Sequence, residues 1–319
     1  MGDASTALRA VIDTARVLDD ADLSAYTTMR VGGPAATLVR PDTVDELRAV
    51  AEVIATTGCP WMVIGRGSNL LIADAGWPGI AVVLGRGFRG VHVDGTVVHA
   101  GAAEPMPAVA RVVARHGLGG LAFGVAIPGT VGGAVRMNAG AHGGELRDVL
   151  VWAEVARMGA GGAPERWPAR RLGFSYRHSD LAPDAIVTRI EVALTHTDAD
   201  ELAAQMAEMR QWRRDSQPIN QPSCGSVFRN PDGDSAGRLI EEAGCKGLRV
   251  GGAQVSQRHA NFITVTPDAR AADVHEIIRT VGRRVHDATG ISLRTEVVLA
   301  GFDDASRRAA GEESAEVWT

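Results

Sequence analysis

The chain has almost no lysine. Lys246 is the single lysine among 33 basic residues, and the rest are arginine. Tyrosine occurs twice, and aromatic residues together make up only 4% of the chain. Cysteine is sparse and odd in number: Cys59, Cys224 and Cys245. That argues against a disulfide framework and for a reducing compartment. No cysteine pair has metal-ligand spacing, and the nine histidines form no HExxH pattern. No metal site is therefore expected. No run of about 18 apolar residues occurs, so no membrane-spanning helix is expected. The first ten residues carry an early Asp3 and no apolar core, unlike a signal peptide. The net charge of −5 gives no electrostatic reason to expect nucleic acid or an anionic membrane as partner. What remains is the composition of a soluble globular protein, at 319 residues long enough for two or three domains.

Glycine is abundant where it matters. Residues 127–144 read Ile-Pro-Gly-Thr-Val-Gly-Gly-Ala-Val-Arg-Met-Asn-Ala-Gly-Ala-His-Gly-Gly, with six glycines in eighteen positions. Residues 63–71 read Val-Ile-Gly-Arg-Gly-Ser-Asn-Leu-Leu, a polar glycine turn between two apolar runs. Backbone this free of side chains can approach another molecule closely and aim its N–H groups at an anion. Two such loops suggest a large ligand with a diphosphate, gripped by main chain at two places. Two tight turns in a β-rich domain are the simpler alternative.

Periodicity places these loops. Residues 1–25 read as a polar helical lead-in. Thr43 and Glu46 form a capping-box pattern ahead of Val44, Leu47, Val50 and Ile54 at helical spacing, and Gly58 supplies the stop. Trp61–Ile64 and Ile80–Leu84 read as strands, and 91–99 as a hairpin around Asp94-Gly95. Residues 107–116 read as a helix, and 149–156 and 186–194 as strands. Helices follow over 200–214, 235–243 and 268–289, with strands over 262–266 and 295–300. Residues 303–319 are small and acidic and read as a loose tail. Gly85-Arg-Gly-Phe-Arg-Gly90 is a literal GxGxxG, but it runs into the hairpin where a Rossmann site needs a helix, so it reads as a turn.

Together the motifs resemble a known series. Thr28-Met-Arg-Val-Gly-Gly33, Gly65-Arg-Gly-Ser-Asn-Leu-Leu71, Ile127-Pro-Gly-Thr-Val-Gly-Gly-Ala134 and Met137-Asn-Ala-Gly-Ala141 come first. Phe174-Ser-Tyr-Arg-His-Ser179, Gly225-Ser-Val-Phe-Arg-Asn-Pro231, Ala243-Gly-Cys-Lys-Gly247, His259-Ala-Asn-Phe262 and Leu293-Arg-Thr-Glu296 follow. This order, over about residues 25–302, resembles the UDP-N-acetylenolpyruvoylglucosamine reductase family, a relative of the vanillyl-alcohol oxidase-type flavoproteins.

The resemblance implies an α+β fold. A two-part FAD-binding module would span 20–86 and 87–196, preceded by a lead-in over 1–19. A substrate-binding α+β domain would follow over 197–303, with a tail over 304–319. It implies a flavoenzyme that reduces UDP-N-acetylglucosamine enolpyruvate to UDP-N-acetylmuramate in peptidoglycan precursor synthesis, with NADPH as co-substrate and FAD as carrier. FAD would be held by Gly65, Arg66, Gly67, Ser68, Asn69 and Leu70. Pro128, Gly129, Thr130, Gly132, Gly133, Asn138, Ala139, Gly140 and Ala141 would complete its site. The first glycine loop has no His or Cys for a covalent link, so FAD is expected to be non-covalent. Arg177 matches the arginine beside the substrate carboxylate, Ser226 the proton donor and Glu296 their acidic partner. Tyr176, Asn230, Lys246, His259 and Asn261 are the further substrate-contact candidates. Lys246 would meet either a substrate diphosphate or an NADPH phosphate. Arg136 and His142 depart from the residues usual in relatives; Arg136 would reach a flavin phosphate or face solvent. The stretch from Arg177 to Ser226 is short and holds no tyrosine, which places the chain in the subgroup without an inserted tyrosine loop. A monomer is expected. Another FAD-dependent oxidoreductase of the superfamily, or a non-catalytic nucleotide-sugar binder, remain as alternatives.

Overall fold

The computed structural model describes residues 2–312. It opens on helix α1, Gly2–Val11, and the strand Val17–Asp22. The expected polar lead-in is therefore part of the body. Ala4, Leu8 and Ile12 are buried in one core with Leu47, Val50 and Ile54 of helix α2, Val44–Thr57. The strand pairs antiparallel with Pro34–Val39. Thr43 caps α2, its hydroxyl accepting the Glu46 N–H at 3.1 Å, and Gly58 closes it at φ 62. Glu46 turns to Arg16 and to the Asp42 N–H at 2.6 Å, which ties the helix start to the chain before the first strand.

The first sheet runs in the order Val17–Asp22, Pro34–Val39, Trp77–Val82, Trp61–Val63, with its last two contacts parallel. The first glycine loop leaves the end of Trp61–Val63. The second sheet is antiparallel with five strands, ordered Pro164–Pro168, Leu150–Arg157, Ala185–Ala193, Val97–Gly101, Val91–Asp94. Helix α3, Met106–Arg115, covers it, and α4, Val131–Arg136, is the short helix inside the second glycine segment. The GxGxxG stretch forms a single 3-10 turn over Arg86–Phe88 before the hairpin, as its context implied.

Helix α5, Ala199–Ser216, differs from its expected place at the head of the third domain. Its stripe Leu202, Met206 and Met209 packs on Ala110, Ala114, Ala122 and Val125 of the second unit. A periodic stripe fixes a buried face but not the core that receives it. The third unit proper holds helix α6, Ala236–Glu242, helix α7, Ala271–Thr289, and the sheet Arg249–Val250, Ala253–Val255, Ile263–Val265. Val274, Ile277, Ile278, Val281 and Val285 of α7 fill its core. The strand Val298–Ala300 then leaves this unit and pairs in parallel with Leu70–Ile72 of the first. Helix α8, Asp304–Ala309, corrects the first part of the expected loose tail. Asp303 caps it, Arg307 pairs with Glu312 at 2.6 Å, and Ala310 is buried. Residues 313–319 of that expected tail lie outside the described residues.

Candidate active site

The two glycine segments meet. A Cβ on Gly65 would lie 2.6 Å from the Thr130 hydroxyl, and one on Gly67, at φ +58, would lie 2.3 Å from the Tyr26 carbonyl. Glycine is required at both positions, by contact at the first and by contact and backbone at the second. Between the segments lies a cavity of about 660 Å³. Gly65 to Leu70 line it on one side, and Pro128, Gly129, Thr130, Gly132, Gly133, Ala139, Gly140 and Ala141 on another. The main-chain N–H groups of Gly65, Arg66, Gly67, Ser68 and Asn69 donate to no protein acceptor among the described residues. Such a run of free donors suits the diphosphate of a dinucleotide cofactor. The wall also carries five arginines, Arg66, Arg89, Arg136, Arg177 and Arg213, against one carboxylate, Glu296. That imbalance favours polyanionic ligands. Size, free donors and charge all fit FAD.

Asn138 has a different place from the one expected. It is fully buried at φ +38 and does not line the cavity. Its amide donates to Glu145 Oε2 at 2.5 Å and to the Ser175 carbonyl at 3.0 Å, and its oxygen accepts the Arg147 N–H. Both amide hydrogens are thereby spent inside the protein. Asn138 instead fixes the turn Ser175–His178, whose ends exchange hydrogen bonds at 3.2 Å. That turn holds Arg177 at φ 54, a left-handed conformation rare for a non-glycine residue. Arg136 differs as well. Its guanidinium donates to the carbonyls of Leu181, Ala182 and Ala185 and so braces the segment after the turn. Burial brings its pKa down to about 10.

The three chemical candidates converge in the wall of the same cavity, tied to both glycine segments. Arg177 Nε donates to Glu296 Oε1 at 3.1 Å, and its Nη2 donates to the Gly140 carbonyl at 3.0 Å. Nη1 has no hydrogen-bond partner among the described residues. Burial pushes the Glu296 carboxyl above its ordinary range, against the pull of the Arg177 and Arg229 charges. Asn69 donates to the Glu296 carbonyl at 2.9 Å, and the Glu296 N–H donates to the Val227 carbonyl at 2.8 Å. Ser226 sits beside that contact, bridged to Phe262, with no hydrogen-bond partner for its hydroxyl among the described residues. Arg177, Ser226 and Glu296 all line the cavity.

The substrate-contact candidates divide. His259 lines the cavity, its ring 4.7 Å from that of Phe262, and burial lowers its pKa. Asn261 is buried, and its side chain is spent on the main chain of Phe228, accepting at 2.9 Å and donating at 2.8 Å. It therefore positions the Ser226 segment. Asn230 accepts the Ala236 N–H at the head of α6, outside the cavity. Lys246 pairs with Glu241 at 3.0 Å on the surface. Tyr176 is exposed beneath the Arg177 guanidinium, 5.0 Å from its ring centroid, and does not itself line the cavity. Cys224 lines it, but burial pushes its thiol up to about 12, so it stays protonated and unreactive.

Sequence reasoning misses Trp212, Arg213 and Gln217, all of which line the cavity. The signal is present. The stripe Leu202–Met206–Met209 continues by helical spacing into Trp212 and Arg213, and an arginine on an apolar stripe marks a desolvated cation.

The chain matches two family models. One is described as an FAD binding domain and covers residues 35–162. The other is described as the C-terminal domain of UDP-N-acetylenolpyruvoylglucosamine reductase and covers residues 217–300. Its start coincides with the end of α5. A UDP-N-acetylenolpyruvoylglucosamine reductase of Halalkalibacterium halodurans is 42% identical over 280 residues, 88% of this chain and 92% of the relative. One of a Synechococcus species is 46% identical over 289 residues, 89% of this chain and 95% of the relative. The crystal structure of the Thermus caldophilus UDP-N-acetylenolpyruvylglucosamine reductase superposes with a TM-score of 0.77 at 40% identity, covering 89% of this chain and 98% of that one.

Proposed function

Because this chain belongs to the UDP-N-acetylenolpyruvoylglucosamine reductase family, we propose that it reduces UDP-N-acetylglucosamine enolpyruvate to UDP-N-acetylmuramate, with NADPH as the electron source and non-covalent FAD as cofactor. The observation that carries the reading is the Arg177–Glu296 pair at 3.1 Å, joined by hydrogen bonds to both glycine loops in the wall of one cavity that Ser226 also lines. FAD bound between the two glycine loops would supply the hydride-transfer chemistry that links NADPH to the terminal carbon of the enolpyruvyl ether. The remaining work falls to side chains. As hydride arrives, negative charge develops on the adjacent carbon and spreads into the carboxylate. Arg177 is already fixed by Glu296 and Gly140, so its free Nη1 meets that charge without reorganising. Ser226, whose hydroxyl has no partner among the described residues, gives its proton to the carbanionic carbon, aided by proximity. Glu296, held by Asn69 and Val227 through main chain, orients Arg177 or shares a proton with the developing enol.

The loops 65–70 and 128–141 are assigned to FAD, with Asn138 acting behind them and Arg136 bracing residues 181–185. His259 is assigned to the substrate side. The units fall at about 20–86, 87–196 and 197–303, with α5 joined by packing to the second. A cytoplasmic monomer of the subgroup lacking the tyrosine loop is the matching proposal for its setting; no helix among the described residues is long and apolar enough to cross a membrane.

The test is spectroscopic. The purified protein should be yellow, should bleach anaerobically with NADPH, and should recover its colour when UDP-N-acetylglucosamine enolpyruvate is added. A protein that takes up FAD and bleaches but never recovers with this substrate is some other flavin oxidoreductase. A protein that binds the sugar nucleotide without bleaching is a non-catalytic binder.

A further inference from the structure

Trp212 is a large apolar side chain left 52% exposed, in the wall of the main cavity. Its ring meets that of His142 edge-on, with centroids 5.0 Å apart and planes at 83°. His142 comes from the second glycine segment, at φ 52, so the contact joins α5 to the cofactor-facing loop. The next residue, Arg213, lines the same cavity. Its Nε donates to Gln217 Oε1 at 2.9 Å, and no carboxylate pairs with it among the described residues. Burial pulls its pKa down, the mark of a cation lacking a counter-charge. An exposed indole face beside an unneutralised guanidinium offers what a nucleotide presents: a planar ring with a phosphate behind it.

We propose that Trp212, held edge-on by His142, is the stacking wall for the planar heteroaromatic ring of a nucleotide ligand, with Arg213 facing that ligand's phosphate. The proposal rests on the functional reading above, which brings two such ligands to one cavity. His142 braces the indole with the two ring planes at 83°, and the side chain stays half exposed, so the ring is preorganised before a ligand arrives. The ring chemistry is shared by the nicotinamide nucleotide and the uridine of the sugar nucleotide.

The test uses the FAD-loaded protein and two probes, NADP⁺ and UDP, each titrated by calorimetry. Stacking of a base on an aromatic residue is worth roughly 1–3 kcal/mol, or about 5- to 150-fold in Kd. Trp212→Ala should weaken at least one probe by roughly tenfold or more, Trp212→Phe should recover most of the loss, and FAD content should stay at the parent level. A loss confined to NADP⁺ assigns the wall to the nicotinamide nucleotide, and a loss confined to UDP assigns it to uridine. Trp212→Gln serves as a second, polar variant suited to a half-exposed helix position. If the parent binds both probes and neither the Ala nor the Gln variant weakens either, the proposal is overturned while the functional reading stands. If the parent binds neither probe, the functional reading falls and takes this proposal with it.

Discussion

The two sides of the cavity are built on opposite plans. The side made by residues 65–70 and 128–141 offers main chain: small residues, free N–H groups and two loops in van der Waals contact. The side made by Arg177, Trp212, Arg213, Ser226, His259 and Glu296 offers side chains of differing chemistry. The first plan makes shape and a general affinity for anions. The second makes selectivity among reactions, because each group is held by a separate scaffold. Asn138 holds the Arg177 turn, Asn261 the Ser226 segment and Asn69 the Glu296 backbone. All three asparagines work through main-chain contacts, so loss of one would be felt at a neighbour.

If the two sides differ in this way, single changes should separate cofactor binding from chemistry. The largest effect is expected from Ser226→Ala. It should slow recovery of the flavin colour by substrate on the order of 10² or more, while bleaching by NADPH stays near the parent rate. Stopped-flow measurement of each half-reaction decides this, and equal losses in both would make Ser226 structural. Next come Arg177→Met and Glu296→Gln. Groups that act as one unit give non-additive losses, so the double variant should be little slower than the worse single one in the substrate half-reaction. Multiplying losses would show two independent groups.

A change on the main-chain side should act the other way. Gly67→Ala puts a methyl 2.3 Å from the Tyr26 carbonyl, on a backbone at φ +58. A strain of roughly 1–3 kcal/mol should cut FAD retention about five- to hundredfold and lower Tm. The rate per bound flavin should hold. Full FAD content in this variant would break the contrast between the sides.

A smaller effect concerns Glu296 and pH. Its carboxyl is raised in the folded protein by burial, so the native state binds this proton more tightly than the unfolded chain. Stability from this group is complete below about pH 4.5, its ordinary value, and is lost as pH rises through the folded pKa. The parent should therefore lose stability relative to Glu296→Gln as pH rises above about 4.5, as read from Tm at each pH. A difference that does not move with pH would show an unshifted carboxyl. The smallest effect is Lys246→Arg. The ion pair with Glu241 is at the surface and such pairs contribute about 0–1 kcal/mol. Both Michaelis constants should stay within about twofold; a larger rise would return Lys246 to the ligand site.

The same contrast explains what is legible in the sequence. A main-chain wall leaves a compositional trace, because dense glycine has few other uses, and both loops can be read from residue order alone. The side-chain wall leaves no local trace. Arg177, Ser226 and Glu296 emerge only through the joint resemblance of motifs spread over much of the chain. Asn138 and Asn261 read as ligand contacts in the sequence, whereas the fold spends their amides on Ser175 and Phe228. Whether a polar side chain is already satisfied is a tertiary fact. Short elements hide for local reasons. Pro164–Pro168 begins and ends in proline and sits at a sheet edge, where proline is tolerated. Helix α8 is six residues long and shows itself mainly through the Asp303 cap. Helix α5 displays its apolar stripe in the sequence but not the core that receives it.

The parallel pairing of Val298–Ala300 with Leu70–Ile72 bears on how the protein comes into being. Glu296 and Asn69, joined at 2.9 Å, are 227 positions apart. Contacts of such range form late, because a long loop must close before they can reward it. On a ribosome that delivers chain from the N-terminus, the first two units have their sequence in hand long before this strand emerges. The segment that leads into this strand also carries Glu296, the acidic group of the proposed reaction. Competence therefore arrives in a single late event, and a chain cut short before residue 296 would have glycine loops but no working chemistry.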